Sequence, residues 1–271
     1  MNTPSLAQVT RELLQAYNRF PRKQLGQHFL VDPMVLQRIV TAADISPDDL
    51  LVEIGSGLGL VTLELAKRAY HVIAIEIDGE LLKISQDVLK ALNNISFVRN
   101  DILKTDINEL TLGRRFKVVG NLPYYITAPI LEELLTLKDR PEKIVIMTQK
   151  EVAERMVAAP GTKKYGSFSV FIQYHAEVKL NSLISKSSFY PWPEVSSALV
   201  VLTPHKEPPY PVTDEKLFFD IMHAAFQQRR KQLRNSLSDF KIDGIDFDFS
   251  RRPETVSVEE FARLANALVK P

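Results

Sequence analysis

From residue 50 onward, apolar runs of strand length alternate with stretches of helical period. Leu50-Leu51-Val52-Glu53-Ile54 reads as a buried strand, and 58–69 as an amphipathic helix. His71-Val72-Ile73-Ala74-Ile75 is a second strand, ending at Glu76. A helix over 81–92, strands over 95–98 and 117–119, a helix over 130–137 and a strand over 144–147 follow. Nearly continuous apolar strands alternating with helices predict a parallel sheet covered on both faces. Two more strands are expected at 168–178 and 198–202. Residues before 48 read as helix and loop, punctuated by Pro21 and Pro33. The Pro-rich stretch 204–211 reads as a linker. Beyond it the pattern predicts a helix over 214–237, a polar acidic loop and a last helix over 258–269.

Composition narrows the classes. The chain has 271 residues and a net charge of +1, so any nucleic-acid contact has to come from local patches of Lys and Arg. There is no Cys, which excludes disulfides, a Cys-based zinc site and a thiolate nucleophile, and fits a reducing cytosol. No apolar run approaches the roughly twenty residues of a membrane span. The N-terminus lacks the apolar core of a secretory signal, although its single acid, Glu12, among Arg11, Arg19, Arg22 and Lys23 leaves an organelle-targeting reading open. His28 and the other four histidines show no metal-ligand spacing, so no metal site is expected.

Candidate chemistry begins at Glu53-Ile54-Gly55-Ser56-Gly57-Leu58-Gly59. Three glycines directly after a strand and before a helix permit tight turning and close approach of backbone to a ligand. The spacing is G-x-G-x-G, and Leu60 stands one residue past the last glycine. The dinucleotide fingerprint needs G-x-G-x-x-G, which counts against a nicotinamide enzyme. Glu76, at the end of the second strand, is suited to accept hydrogen bonds from both hydroxyls of a ribose. Asp101, after the third strand, is suited to accept from the amino group of a cofactor adenine.

Asn121-Leu122-Pro123-Tyr124 follows the fourth strand. An adenine exocyclic amine is a poor nucleophile because its lone pair is delocalised into the ring. Two carbonyl acceptors, the Asn121 side chain and the Leu122 main chain, can take its N–H bonds and aim the lone pair at an electrophile. Tyr124 can stack on the base. Phe189-Tyr190-Pro191-Trp192-Pro193-Glu194-Val195-Ser196 is an extended, rigid segment that can present Phe189 as a second aromatic. A third feature is Arg229-Arg230-Lys231-Gln232-Leu233-Arg234, cationic and without an acid. On one helix Arg230 and Arg234 would share a face able to follow a phosphate backbone. Arg22-Lys23 and Lys163-Lys164 add smaller positive spots. Each feature alone is also compatible with an ordinary turn, a core aromatic or a solvated helix face.

Taken in order, these motifs resemble the ribosomal RNA adenine dimethyltransferase family, of the kasugamycin-resistance type that acts on the small subunit. Lys23-Gln24-Leu25-Gly26-Gln27-His28-Phe29-Leu30, Gln149-Lys150-Glu151-Val152-Ala153-Glu154-Arg155 and the Arg229 segment carry most of the specificity. The resemblance implies a Rossmann-like α/β fold with a seven-stranded mixed sheet over 1–204 and a small helical rRNA-docking domain over 205–271. It implies S-adenosylmethionine as cofactor. It further implies transfer of methyl groups to the N6 amines of two adjacent adenosines in the 3′-terminal hairpin of small-subunit rRNA. The enzyme would be a cytoplasmic monomer acting on an assembling small subunit. By the same resemblance, Gln27, His28, Leu30, Gly55 and Gly57 surround the cofactor, with Glu76 on its ribose and Asp101 on its adenine. Asn121 lies between cofactor and target, Tyr124 and Phe189 sandwich the base, and Arg229, Arg230, Lys231 and Arg234 contact RNA. A non-catalytic RNA-binding assembly factor on the same fold is the reading from a different class.

Overall fold

The computed structural model describes residues 4–228 and 230–269; the side chain of Tyr124 and the whole of Arg229 lie outside that description. By packing, the chain falls into two compact units, Met1–Ala153 with Lys179–Pro204, and Glu154–Val178 with His205–Pro271. The chain therefore crosses between units at 153/154 and 178/179 as well as at 204/205, and residues 154–178 travel with the C-terminal segment.

The strands in chain order are β1 (Phe29–Leu30), β2 (Leu50–Ile54), β3 (His71–Glu76), β4 (Ile95–Arg99), β5 (Phe116–Asn121), β6 (Lys143–Gln149), β7 (Ala176–Ile184), β8 (Phe189–Tyr190) and β9 (Ser197–Pro204). Seven of them form one sheet in the order β4-β3-β2-β5-β6-β9-β7. β2 runs parallel to β3 and β5, and β6 runs parallel to β5, while β9 is antiparallel to β6. The chain winds outward from β2 through β3 to β4, then returns to the other side of β2 at β5. That reversal opens a crevice at the carboxyl ends of β2 and β5, the usual ligand position in such sheets.

β2 is buried at every position, as its unbroken apolar run requires. On one face Leu51, Val72, Val119, Val145 and Leu199 pack with Leu36 and Ile39 of the helix Pro33–Ala43 and Leu65 of the helix Leu60–Ala66. Asp32 caps the first of these helices by accepting Met34 N–H at 2.9 Å, which satisfies one of its orphan donors.

Two expected elements differ. Residues 168–178, read as a strand, are mostly the helix Ser167–His175, and β7 follows it from Ala176. The β-favouring run Phe168-Ser169-Val170-Phe171 carried the strand reading, but Phe168, Ser169, Val170, Ile172 and Tyr174 are buried around the helix, so packing outweighs propensity. The expected helix over 214–237 stops at Gln227 and resumes only at Leu233–Ser236. The amides of Leu233 and Arg234 bond to Arg251 and Phe249 carbonyls at 2.8 and 2.9 Å instead of continuing the helix. The second unit's core joins Phe218, Met222 and Phe226 of Glu215–Gln227 to Tyr174, Leu233 and Leu237, and to Phe261 of Val258–Leu268.

Candidate active site

The glycine turn closes the carboxyl end of β2. Gly55, Gly57 and Gly59 have φ of 77°, 56° and 82°, a left-handed region that costs a residue with a Cβ roughly 1–2 kcal/mol. At Gly59 space also demands glycine, since a Cβ there would stand 2.5 Å from Ser85 Oγ and 2.9 Å from Leu89 Cδ1.

Glu76 holds this turn from the end of β3. Its Oε2 accepts the Gly57 N–H at 2.9 Å and its Oε1 accepts the Asp78 N–H at 2.9 Å. The side chain is buried. Burial pushes its carboxyl above the ordinary range; the Asp78 and Gly57 amides pull it back, and the charge of Asp78 adds to the rise. A carboxylate offers about four acceptor positions, so two amide bonds leave capacity for ligand hydroxyls. After β4, Asp101 Oδ1 accepts the Leu103 N–H at 3.1 Å. That bond caps a short turn that sets Ile102 and Leu103 against the same cavity.

The N-terminal loop covers the turn. Gln27 Nε2 donates to Asp78 Oδ2 at 3.0 Å, and its Oε1 accepts the Arg22 N–H at 2.8 Å. Gln27 is thus a tether between the loop and the turn that follows β3. β1 pairs antiparallel with β8, opposing Phe29 to Tyr190 and Leu30 to Phe189. His28 Nδ1–H donates to the Pro191 carbonyl at 2.8 Å. Asn121 Nδ2 donates to the His28 carbonyl at 2.8 Å. This bond fixes the orientation of the Asn121 amide.

One cavity gathers Gln27, His28, Leu30, Gly55, Gly57, Glu76, Asp101 and Asn121. Its walls also include Pro123 of the tetrapeptide, and Tyr125, Ile126, Ile77, Asn100, Ile102 and Leu103, which the sequence reading did not single out. The apolar pair directly after Asp101 is the signal that could have marked a floor for a planar ring. Nothing local marks Asp78, whose importance comes from contacts at long sequence separation. A nucleoside-bearing cofactor fits this donor set: a buried carboxylate for ribose, a strand-end carboxylate beside apolar side chains for a base, and glycines where a Cβ would fill the cradle.

Other expected residues lie elsewhere. Leu122 is 1% exposed, so only its main chain is available to a substrate. Phe189 is 1% exposed and packs with Leu30, Val119 and Met147 in the sheet core, off the cavity wall. The Tyr124 side chain and Arg229 lie outside the described residues. Arg230, Lys231 and Arg234 are exposed, but not on one helix face, because the helix ends before Arg230. Among the described residues no cluster of His, Cys, Asp or Glu could hold a metal, and no helix is long and apolar enough to cross a membrane.

The family model described as ribosomal RNA adenine dimethylase matches residues 18–266. A ribosomal RNA small subunit methyltransferase A of Clostridium botulinum is 42% identical over 269 residues, covering 96% of this chain and 98% of its own. A protein of that name from Bacillus cereus is 43% identical over 278 residues, covering 96% and 95%. Among solved structures, a dimethyladenosine transferase from Plasmodium falciparum aligns with a TM-score of 0.75 at 24% identity over 88% of this chain and 96% of that one. The 23S rRNA methyltransferase ErmE aligns with a TM-score of 0.71 at 27% identity over 89% and 100%.

Proposed function

Because the chain belongs to the ribosomal RNA adenine dimethylase family, we infer that it is an S-adenosylmethionine-dependent methyltransferase of small-subunit rRNA. It converts two adjacent adenosines of the 3′-terminal hairpin to N6,N6-dimethyladenosine. In the finer reading the substrate is an assembling small subunit in the cytoplasm and the enzyme acts as a monomer.

The observation that carries the site assignment is the Asn121 Nδ2 bond to the His28 carbonyl. With one of its amide N–H groups donated to the His28 carbonyl, Asn121 keeps its oxygen as the acceptor it can offer to the cavity. That oxygen accepts one N–H of the target amine, and the Leu122 carbonyl accepts the other. The lone pair is then held out of conjugation and aimed, and catalysis rests on orientation and preorganised dipoles. Bound S-adenosylmethionine supplies an electrophilic methyl group. Glu76 binds the ribose hydroxyls, Asp101 the adenine amine with Ile102 and Leu103 against the ring, and Gly55 and Gly57 admit the cofactor's close approach. Tyr124 and Phe189 remain the proposed base-stacking pair; since Phe189 is buried, this role requires it to emerge from the core on binding. Arg229, Arg230, Lys231 and Arg234 are proposed to contact the phosphate backbone.

The test is methyl transfer from labelled cofactor to unmethylated small-subunit particles, with the modified positions mapped. Wild type should label the two adjacent adenosines. Asn121→Ala should lose the chemical step while calorimetry shows unchanged cofactor affinity. Near-normal turnover of this variant at saturating substrates would reduce Asn121 to a structural residue.

A further inference from the structure

Phe189 is buried, yet its segment still presents an aromatic to water. Trp192 is the sole tryptophan of the chain and is 71% exposed. Tryptophan offers a large rigid ring with a polar edge and is enriched at interfaces. The backbone beneath this one is held firmly. Pro191 and Pro193 flank it and restrict its torsions. Tyr190 pairs with Phe29 and lies under the Arg11 guanidinium at 5.3 Å. Lys186 Nζ donates to the Glu194 carbonyl.

The segment is also wired to the proposed catalytic amide. The Pro191 carbonyl, one residue from Trp192, accepts from His28, and the His28 carbonyl accepts from Asn121, each at 2.8 Å. The indole is therefore carried on a rigid arm whose root touches the site. On the cavity wall itself Tyr125 is 64% exposed.

We propose that Trp192 is a stacking platform for an unpaired nucleobase flanking the target adenosine. The proposal rests on the rRNA methyltransferase reading and adds a substrate-positioning residue to it. A flat, preorganised aromatic binds any base by its π-face, without reading base edges. A target held for chemistry has to be drawn out of its stack, which leaves its neighbours in need of a new one.

The lone tryptophan makes the test direct. Full-length protein is titrated with protein-free small-subunit rRNA while indole emission is followed. Stacking predicts saturable quenching, and an RNA carrying abasic sites beside the two adenosines should not quench. Trp192→Ala should raise KM for RNA about tenfold, the scale of one stacked base, with a smaller change in kcat and unchanged cofactor affinity. Trp192→Phe should recover most of the loss. Circular dichroism checks the fold of both variants. No quenching together with an unaltered KM overturns the proposal. Quenching by the protein fraction of the small subunit, with none by RNA, also overturns it and identifies a protein contact. A wild-type enzyme that fails to methylate small-subunit particles would sink the functional reading instead; the emission titration needs no turnover and still decides the stacking.

Discussion

Replacing Glu53 by Gln should make the protein more stable in mild alkali. Glu53 sits on β2, in register with Ala74 and Val119. It is 2% exposed, and its Oε2 has no hydrogen-bond partner among the described residues. Burial raises its carboxyl from 4.5 to about 7; the Thr62 hydroxyl opposes the rise and the charge of Glu76 adds to it. An acid whose folded pKa is raised binds more protons in the folded state between the two values. Stability is therefore full below about 4.5, falls as pH rises through the window, and has lost this contribution above about 7. A displacement of that size is worth about 3 kcal/mol. A glutamine amide cannot ionise, so the Glu53→Gln variant lacks this slope. Urea unfolding of the cofactor-free chain, compared between wild type and variant from pH 4.5 to 8, reads the effect of Glu53 together with its coupling to Glu76, because titrating groups remote from the pair cancel. The stability difference should move by about 3 kcal/mol in favour of the variant across that range. A difference that stays within about 0.5 kcal/mol at all pH values would show that Glu53 is solvated or paired, and refute the reasoning.

Gly59→Ala should destabilise by about 1–3 kcal/mol, because φ is 82° and the new Cβ would meet Ser85 Oγ at 2.5 Å; thermal unfolding with an unshifted midpoint would contradict it. Substituting Arg230, Lys231 and Arg234 together by Ala should weaken binding to small-subunit particles and reduce its salt slope by roughly one per lost phosphate contact. Filter binding across a salt series with an identical slope would mean these side chains are only solvated.

The sheet was legible because its strands are apolar runs too short to be helices and are bounded by helical period. The glycine turn was legible because positive φ and close approach leave glycine as the fitting residue. The eight residues that the family resemblance puts at the cofactor line one cavity. What escaped was set by distance along the chain. The helix at Ser167–His175 is built from strand-favouring residues, and burial on most of its sides decides its form. The end of the helix at Gln227 has no Pro or Gly to announce it, and farther on the Leu233 and Arg234 amides turn to the distant carbonyls of Arg251 and Phe249 instead of to the preceding turn. Phe189 looked like a presented aromatic because its prolines predict an extended segment. Extension does not say which face of that segment meets the core.

The two bonds at His28 bear on when the enzyme becomes competent. They join segments 93 and 163 positions apart, with Asn121 on one side and Pro191 on the other. A ribosome delivers the glycine turn, Glu76, Asp101 and Asn121 well before it delivers Pro191. During that interval β1 has no β8 to pair with, and the His28 ring lacks its acceptor. The Asn121 amide, proposed to orient the target, is then held by a loop that is itself untethered. β9, which flanks β6 in the sheet, arrives later still. A nascent chain can thus hold most of the cavity-lining residues before His28 has its second partner. The clasp at His28 closes only after the chain's last sheet segments have been made.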